Sequence, residues 1–189
     1  GKYLQGALGY GGPCFPRDNR AFAALAQRCG VSVPLAEATD EINRRQVQRV
    51  SDLILSRLPA GATVAVLGLS YKPDTGVIEE SHGLAIARHL LSCGMRVTVY
   101  DPAAMEEARR ELAGNVVFAR SLEECLREAD LVALMTAWSE FKNISPALLR
   151  RPGRRPLLLD CWRTLDRAAF EPVAEYLTLG RGPAGTVRC

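Results

Sequence analysis

The sequence predicts an α/β protein, with a helical segment over 1–60, a parallel-sheet domain over 61–180 and a tail over 181–189. Three observations predict it. Short runs made almost wholly of Val, Leu and Ala alternate with amphipathic stretches, as they do when helices cover both faces of a sheet. After Pro34, apolar residues keep helical spacing for more than 20 residues, which describes one long helix. Pro59-Ala60-Gly61 interrupts that spacing and marks the boundary.

Taken in order, Ala21, Phe22, Leu25 and Ala26 predict a helix from Arg17 or Asp18 to Cys29, stopped by Gly30. The long helix runs from Pro34 to about Arg57, with Ala38, Ile42, Val47, Val50, Leu53, Ile54 and Leu58 on its apolar stripe. Such a stripe needs a covering surface, either a second copy of the chain or the chain's own sheet domain. Thr63 to Leu67 reads as a strand. Ser81 to Cys93 reads as a helix with Ser81 as its N-cap and Gly94 as its stop. Further strands are predicted at Arg96 to Tyr100, Val116 to Ala119, Leu131 to Met135 and Pro156 to Leu159. Helices fall between them at Ala103 to Leu112 and Leu122 to Glu128. The tail from Gly180 to Cys189 has no periodicity and is expected to be mobile.

Composition narrows the function. The net charge of +3 comes without a basic stripe interleaved with aromatics, which argues against nucleic-acid binding. The longest apolar runs are strand-length, far short of a membrane span, and no signal peptide is visible. Six cysteines without a C-x-x-C pair read as separate reduced thiols, which points to the cytoplasm. With two histidines and no paired cysteines, no metal site is expected.

Chemistry concentrates in Gly9-Tyr10-Gly11-Gly12-Pro13-Cys14-Phe15-Pro16-Arg17-Asp18. Glycines let the backbone approach a neighbour closely, and the prolines restrict the chain on either side of the thiol. A thiol before a helix N-terminus and near a cation has a stabilised thiolate. The decapeptide alone fits equally a nucleophile and a Gly-rich turn with a small buried cysteine. In parallel sheets, ligands bind at the carboxyl ends of strands. Gly68-Leu69-Ser70-Tyr71-Lys72, Asp101, Thr136-Ala137-Trp138 and Asp160-Cys161-Trp162-Arg163 all fall there. Lys72 and Arg163 suit a diphosphate and Tyr71 offers a ring, although both cations also fit a solvated loop. Asp101 reads as a ribose-binding acid or a helix N-cap, the cap being preferred. Trp138 and Phe141 read as core.

The decapeptide closely resembles the cysteine loop of the UDP-glucose/GDP-mannose dehydrogenases, written G-[FY]-G-G-S-C-[FL]-P-K-D. Pro13 stands for the usual Ser and Arg17 for the usual Lys. Pro34 to Gln46 looks like the family's central helix, and Gly68 to Thr75 like the opening of its C-terminal nucleotide-binding domain. Val99-Tyr100-Asp101-Pro102, Thr136 to Phe141 and Asp160 to Arg163 follow in the family's order, so the likeness runs from about residue 1 to about 170.

The resemblance implies a Rossmann-like domain that binds a UDP-sugar, preceded by a central segment that forms a homodimer through its long helix. It implies an NAD-dependent oxidation of a sugar C6 alcohol to a carboxylate, through a cysteine thiohemiacetal and thioester. Cys14 matches the nucleophile and Asp18 a carboxylate that positions or activates water. Tyr3, Leu4, Tyr10, Gly11, Gly12 and Phe15 match the loop enclosing the sugar nucleotide. Lys72 and Arg163 match its contacts in the second domain, and the Tyr71 ring gives the base or sugar a surface to lie against. UDP-glucose is the substrate the loop favours by resemblance, with UDP-N-acetyl sugars and GDP-mannose as alternatives. A non-catalytic nucleotide-binding or dimerisation module is the other reading.

Family members are more than twice as long and begin with an NAD-binding domain. No G-x-G-x-x-G between a strand and a helix occurs here. A C-terminal piece of a dehydrogenase, inactive alone, is therefore expected. Pro13 and Glu79 fall where the family meets NAD. Glu79 replaces a family Arg, and an anion there repels a pyrophosphate.

Overall fold

Five strands fall where the apolar runs put them. A computed structural model describes residues 8–180. Its strands are Thr63–Leu67 (β1), Arg96–Tyr100 (β2), Val116–Phe118 (β3), Leu131–Leu134 (β4), Leu157–Asp160 (β5) and Glu175–Thr178 (β6). All pair in parallel, in the order β3-β2-β1-β4-β5-β6. Strand order reverses between β1 and β4, which makes their carboxyl ends the switch point where a ligand crevice opens. Leu67 pairs with both Tyr100 and Leu134, and Leu134 with Asp160, so four strands end level on one edge.

Helices are Phe15–Arg28 (α1), Pro34–Leu55 (α2), His82–Ser92 (α3), Met105–Glu111 (α4), Leu122–Leu126 (α5), Ser139–Lys142 (α6) and Arg167–Phe170 (α7), with a 3-10 turn at Pro146–Leu149. The alternation of side chains along each strand divides the core. Val64, Val66, Val97, Val99, Ala133 and Leu159 face one layer, with α3 and the end of α2. Ala65, Leu67, Val132, Leu134 and Leu158 face the other, with α5 and Phe141. Burial on both faces is why these strands carry no polar alternation.

Three expectations change. The first helix begins at Phe15 and not at Arg17 or Asp18, because Pro16 is tolerated in a first turn where its missing N–H costs nothing. A sixth strand, β6, adds to the five expected. It is a short edge strand beginning at exposed Glu175. The stripe on α2 divides: Val50 and Ile54 are fully buried in the sheet's core, whereas Leu35 and Ile42 are 82% and 61% exposed. The helix thus packs on its own sheet at one end and against α1 at the other, where Asn19 donates to the Ala36 carbonyl while Leu35 and Ile42 stay exposed. The tail at 181–189, like Tyr3 and Leu4, lies outside the described residues.

Candidate active site

Cys14 is the N-cap residue of α1, and its thiol is exposed. Its carbonyl accepts the Asp18 N–H at 2.8 Å, the first turn of the helix. Residues four apart share a helical face, so the Asp18 carboxylate lies one turn from the thiol. Arg17 Nε donates to that carboxylate at 2.9 Å, with both side chains exposed. The predicted cation is therefore engaged by Asp18.

The cysteine loop is packed against the loop that leaves β1. Gly12 N–H donates to the Glu79 carbonyl at 2.9 Å. Gly12 has φ of +86°, and a Cβ there would lie 2.5 Å from the Tyr71 ring. A Cβ on Gly11 would meet the Glu80 carbonyl at 2.3 Å. Here these glycines allow two loops to touch. Arg20 on α1 adds an ion pair to Glu80 at 2.6 Å. Tyr10 and Phe15 meet edge to face at 6.4 Å between centroids. Tyr10 Oη is buried without a hydrogen-bond partner. Burial, with Asp40 beside it, pushes its pKa up.

Beside Gly12, the Tyr71 ring carries Lys72 Nζ 5.5 Å from its centroid, while Lys72 itself is exposed. Arg163 follows β5 on the same edge. With β4 between β1 and β5, their exits stand about 10 Å apart, the width of two strand spacings. Arg163 has φ of +56°, a left-handed backbone held by its N–H donating to Asp160 Oδ1 at 2.7 Å. Trp162 Nε1 donates to the Met135 carbonyl at 2.7 Å.

Two buried carboxylates shape this edge. Asp160 accepts five hydrogen bonds, from the N–H groups of Trp162, Arg163, Thr164 and Leu165 and from Tyr176 Oη. Asp101 corrects the expectation of a simple cap. The N-cap position of α4 is Ala104. Asp101 Oδ1 accepts from Ala103 N and Ala104 N, while Oδ2 accepts from Leu69 N, Ser70 N, Ser70 Oγ and Trp138 Nε1. It ties three strand exits together and, at 1% exposure, offers nothing to a ribose. Trp138 and Phe141 are buried in the core. The latch roles of Asp101 and Asp160 are invisible in the sequence beyond an acid ending each strand.

His82 opens α3, and its Nε2 lies 3.2 Å from the Asn43 carbonyl. Burial pushes its pKa below the usual 6.5, more than the Asn43 bond and nearby Glu80 raise it. The unfolded chain therefore takes up this proton first as pH falls. The His82 contribution is complete above pH 6.5 and is lost as pH drops through the lower folded value. Urea midpoints from pH 7.5 to pH 5 are expected to fall less in His82→Gln than in the original chain. Equal acid losses in the two would refute the coupling.

Elsewhere, burial raises the thiol pKa values of Cys125 and Cys161 and keeps both protonated. An open cleft of about 500 Å³ lies at the amino edge of the sheet, lined by Arg88, Leu91, Met95, Arg96, Glu111 and Asn115. It is at the opposite end from Cys14 and Lys72. Among the described residues, no group of three or more His, Cys, Asp or Glu is placed to hold a metal ion. None of their helices is long and apolar enough to cross a membrane.

Comparison with known proteins places this geometry. The UDP-binding domain of the UDP-glucose/GDP-mannose dehydrogenase family matches residues 65–167, and the central domain of that family matches residues 1–45. The UDP-glucose 6-dehydrogenase YwqF of Bacillus subtilis (strain 168) is 32% identical over 195 aligned positions, covering 99% of this chain and 44% of the relative. The UDP-glucose 6-dehydrogenase of Rhizobium meliloti (strain 1021) is 35% identical, covering 84% of this chain and 37% of the relative. A solved UDP-glucose dehydrogenase from Pyrobaculum islandicum superposes with a TM-score of 0.77 at 30% identity, over 91% of this chain and 38% of that one. The chain thus spans less than half the length of these relatives. With a matching domain model over more than half its residues, the chain belongs to the UDP-glucose/GDP-mannose dehydrogenase family.

Proposed function

We propose that this chain is the cysteine-bearing and UDP-sugar-binding part of a nucleotide-sugar 6-dehydrogenase that oxidises UDP-glucose to UDP-glucuronate. One observation carries the reading. The exposed thiol of Cys14 stands at a helix N-cap on a loop packed, through Gly12 and Tyr71, against the loop that presents Lys72. Lys72 and Arg163 hold the diphosphate from the sheet edge. Tyr10, Gly11, Gly12 and Phe15 enclose the sugar, a role also assigned to Tyr3 and Leu4, which lie outside the described residues. The Cys14 thiolate adds to the C6 aldehyde, giving a thiohemiacetal whose oxyanion takes up a proton. Asp18 orients the water that later releases the carboxylate.

NAD, when bound, supplies the hydride acceptor. The residues here fit it poorly: Glu79 is exposed and anionic beside Pro13, and Arg17 and Arg20 are paired with Asp18 and Glu80. On this reading its pyrophosphate is held by sequence outside this chain, and the chain alone is inactive. Residues 1–60 serve catalysis and dimerisation, and 61–180 bind nucleotide. The exposed Phe22, Leu25, Leu35 and Ile42 support a homodimer through α1 and α2. Five free thiols among the described residues fit a cytoplasmic setting.

Calorimetric titration of the chain with UDP-glucose tests the proposal. Heat with a Kd below millimolar is expected, weakened about tenfold or more by Lys72→Ala, the size of one lost charge-assisted contact. No heat at millimolar ligand would overturn it.

A further inference from the structure

We propose that Asn43, midway along α2, is a positioning residue that holds the Cys14 loop through the Tyr10 peptide. The proposal rests on the reading of Cys14 as the nucleophile.

Asn is a weak helix former, because its amide competes for backbone bonds, so a buried Asn inside a long helix needs a reason. Asn43 is 8% exposed and interrupts the face that also carries Val50 and Ile54. Its carboxamide is spent on one residue. Tyr10 N–H donates to Asn43 Oδ1 at 2.9 Å, and Asn43 Nδ2 donates to the Tyr10 carbonyl at 2.8 Å. Two antiparallel bonds from one planar group fix both the place and the rotation of that backbone, as a rung of sheet does. Tyr10 is four residues before the thiol.

The clamp has a backing. His82 Nε2 meets the Asn43 carbonyl, and Gly9 lies against both side chains. A Cβ on Gly9 would fall 2.5 Å from His82 Nε2 and 2.7 Å from Asn43 Oδ1. The loop therefore threads between α2 and the first turn of α3. Two residues on from Tyr10, Gly12 N–H is held by Glu79. Cys14 is thus located by two anchors upstream and by α1 downstream.

An amide is the one side chain that serves both bonds at this length. A carboxylate in its place would accept from Tyr10 N–H but set its second, anionic oxygen against the Tyr10 carbonyl, so Asn43→Asp turns half the clamp into a repulsion at unchanged shape. Asn43→Ala removes all of it.

The test uses two arms. In the chain, alkylation by iodoacetamide at pH 7 is followed for each cysteine separately, with exposed Cys29 and Cys93 as internal references. Asn43→Ala is expected to shift the Cys14 rate at least threefold against them, since the loop that places the thiol loses both of its bonds to α2. Asn43→Asp is expected to shift it at least as far. In the complete enzyme, kcat is expected to fall about tenfold or more with KM for UDP-glucose within threefold. An unchanged Cys14 ratio in both variants overturns the proposal. So does a loss in which kcat falls, KM rises and the thermal midpoint drops together in both variants, the mark of a merely structural residue. Should Asn43→Ala fail to fold, the Asn43→Asp ratio decides. Full turnover in Cys14→Ser would strike the nucleophile reading alone, because the alkylation ratio measures the hold on the thiol without any turnover.

Discussion

Asp160→Ala is expected to lower stability by about 3–5 kcal/mol, because it strands buried donors that one carboxylate now satisfies. Asp160 is fully buried at the end of β5 and accepts from four consecutive N–H groups and from Tyr176 Oη. Alanine leaves a cavity and no acceptor. Each stranded donor costs about 1–3 kcal/mol where water cannot reach it, and the outer ones recover part of that in solvent. For a domain of this size the thermal midpoint should drop by roughly 10 °C. Asparagine at this site keeps one acceptor oxygen and turns an NH2 towards donors, so an intermediate loss is expected. Because Arg163 owes its left-handed backbone to this carboxylate, UDP-glucose affinity should fall along with stability. Urea unfolding checks the first claim. A loss under about 1 kcal/mol would mean the loop from 160 to 165 holds itself.

Cys14→Ser is expected to cut complete oxidation by about a thousandfold or more in the full enzyme, equivalent to about 4 kcal/mol of transition-state stabilisation. A hydroxyl has far less of its nucleophilic form at neutral pH than a thiol. Binding of UDP-glucose to the chain should stay within about twofold, since Lys72 and Arg163 are untouched and the side chain is exposed. Steady-state turnover and calorimetry separate these effects. Unchanged turnover would favour a non-catalytic module, the reading that exposed Glu79 supports.

Much of the sheet is legible because buried parallel strands leave a plain signature. β1 and β2 fall at the predicted bounds, and β4 and β5 within a residue of theirs. Ser81 caps α3 as expected, accepting from Leu84 N. β6 escapes because an edge strand needs only one apolar side, and Glu-Tyr-Leu-Thr mixes polar with apolar. The start of α1 is misplaced when Pro16 is taken as a restriction on a loop and not as a first-turn residue. Of the proposed site residues, Cys14 and Lys72 stand out in the sequence because each sits inside a short local motif. Asn43 does not: its partners Tyr10 and His82 lie 33 and 39 residues away, and no periodicity encodes a bond across that gap. Asp101 fails for the same reason, its role being divided among β1, β2 and the turn after β4.

The divided stripe on α2 makes that helix a lever about 33 Å long, at 1.5 Å per residue. One end is bolted into the sheet by Val50 and Ile54, the other extends an oily arm at Leu35 and Ile42, and Asn43 lies between them. Anything that grasps the arm and tilts it also tugs on the peptide leading to the thiol.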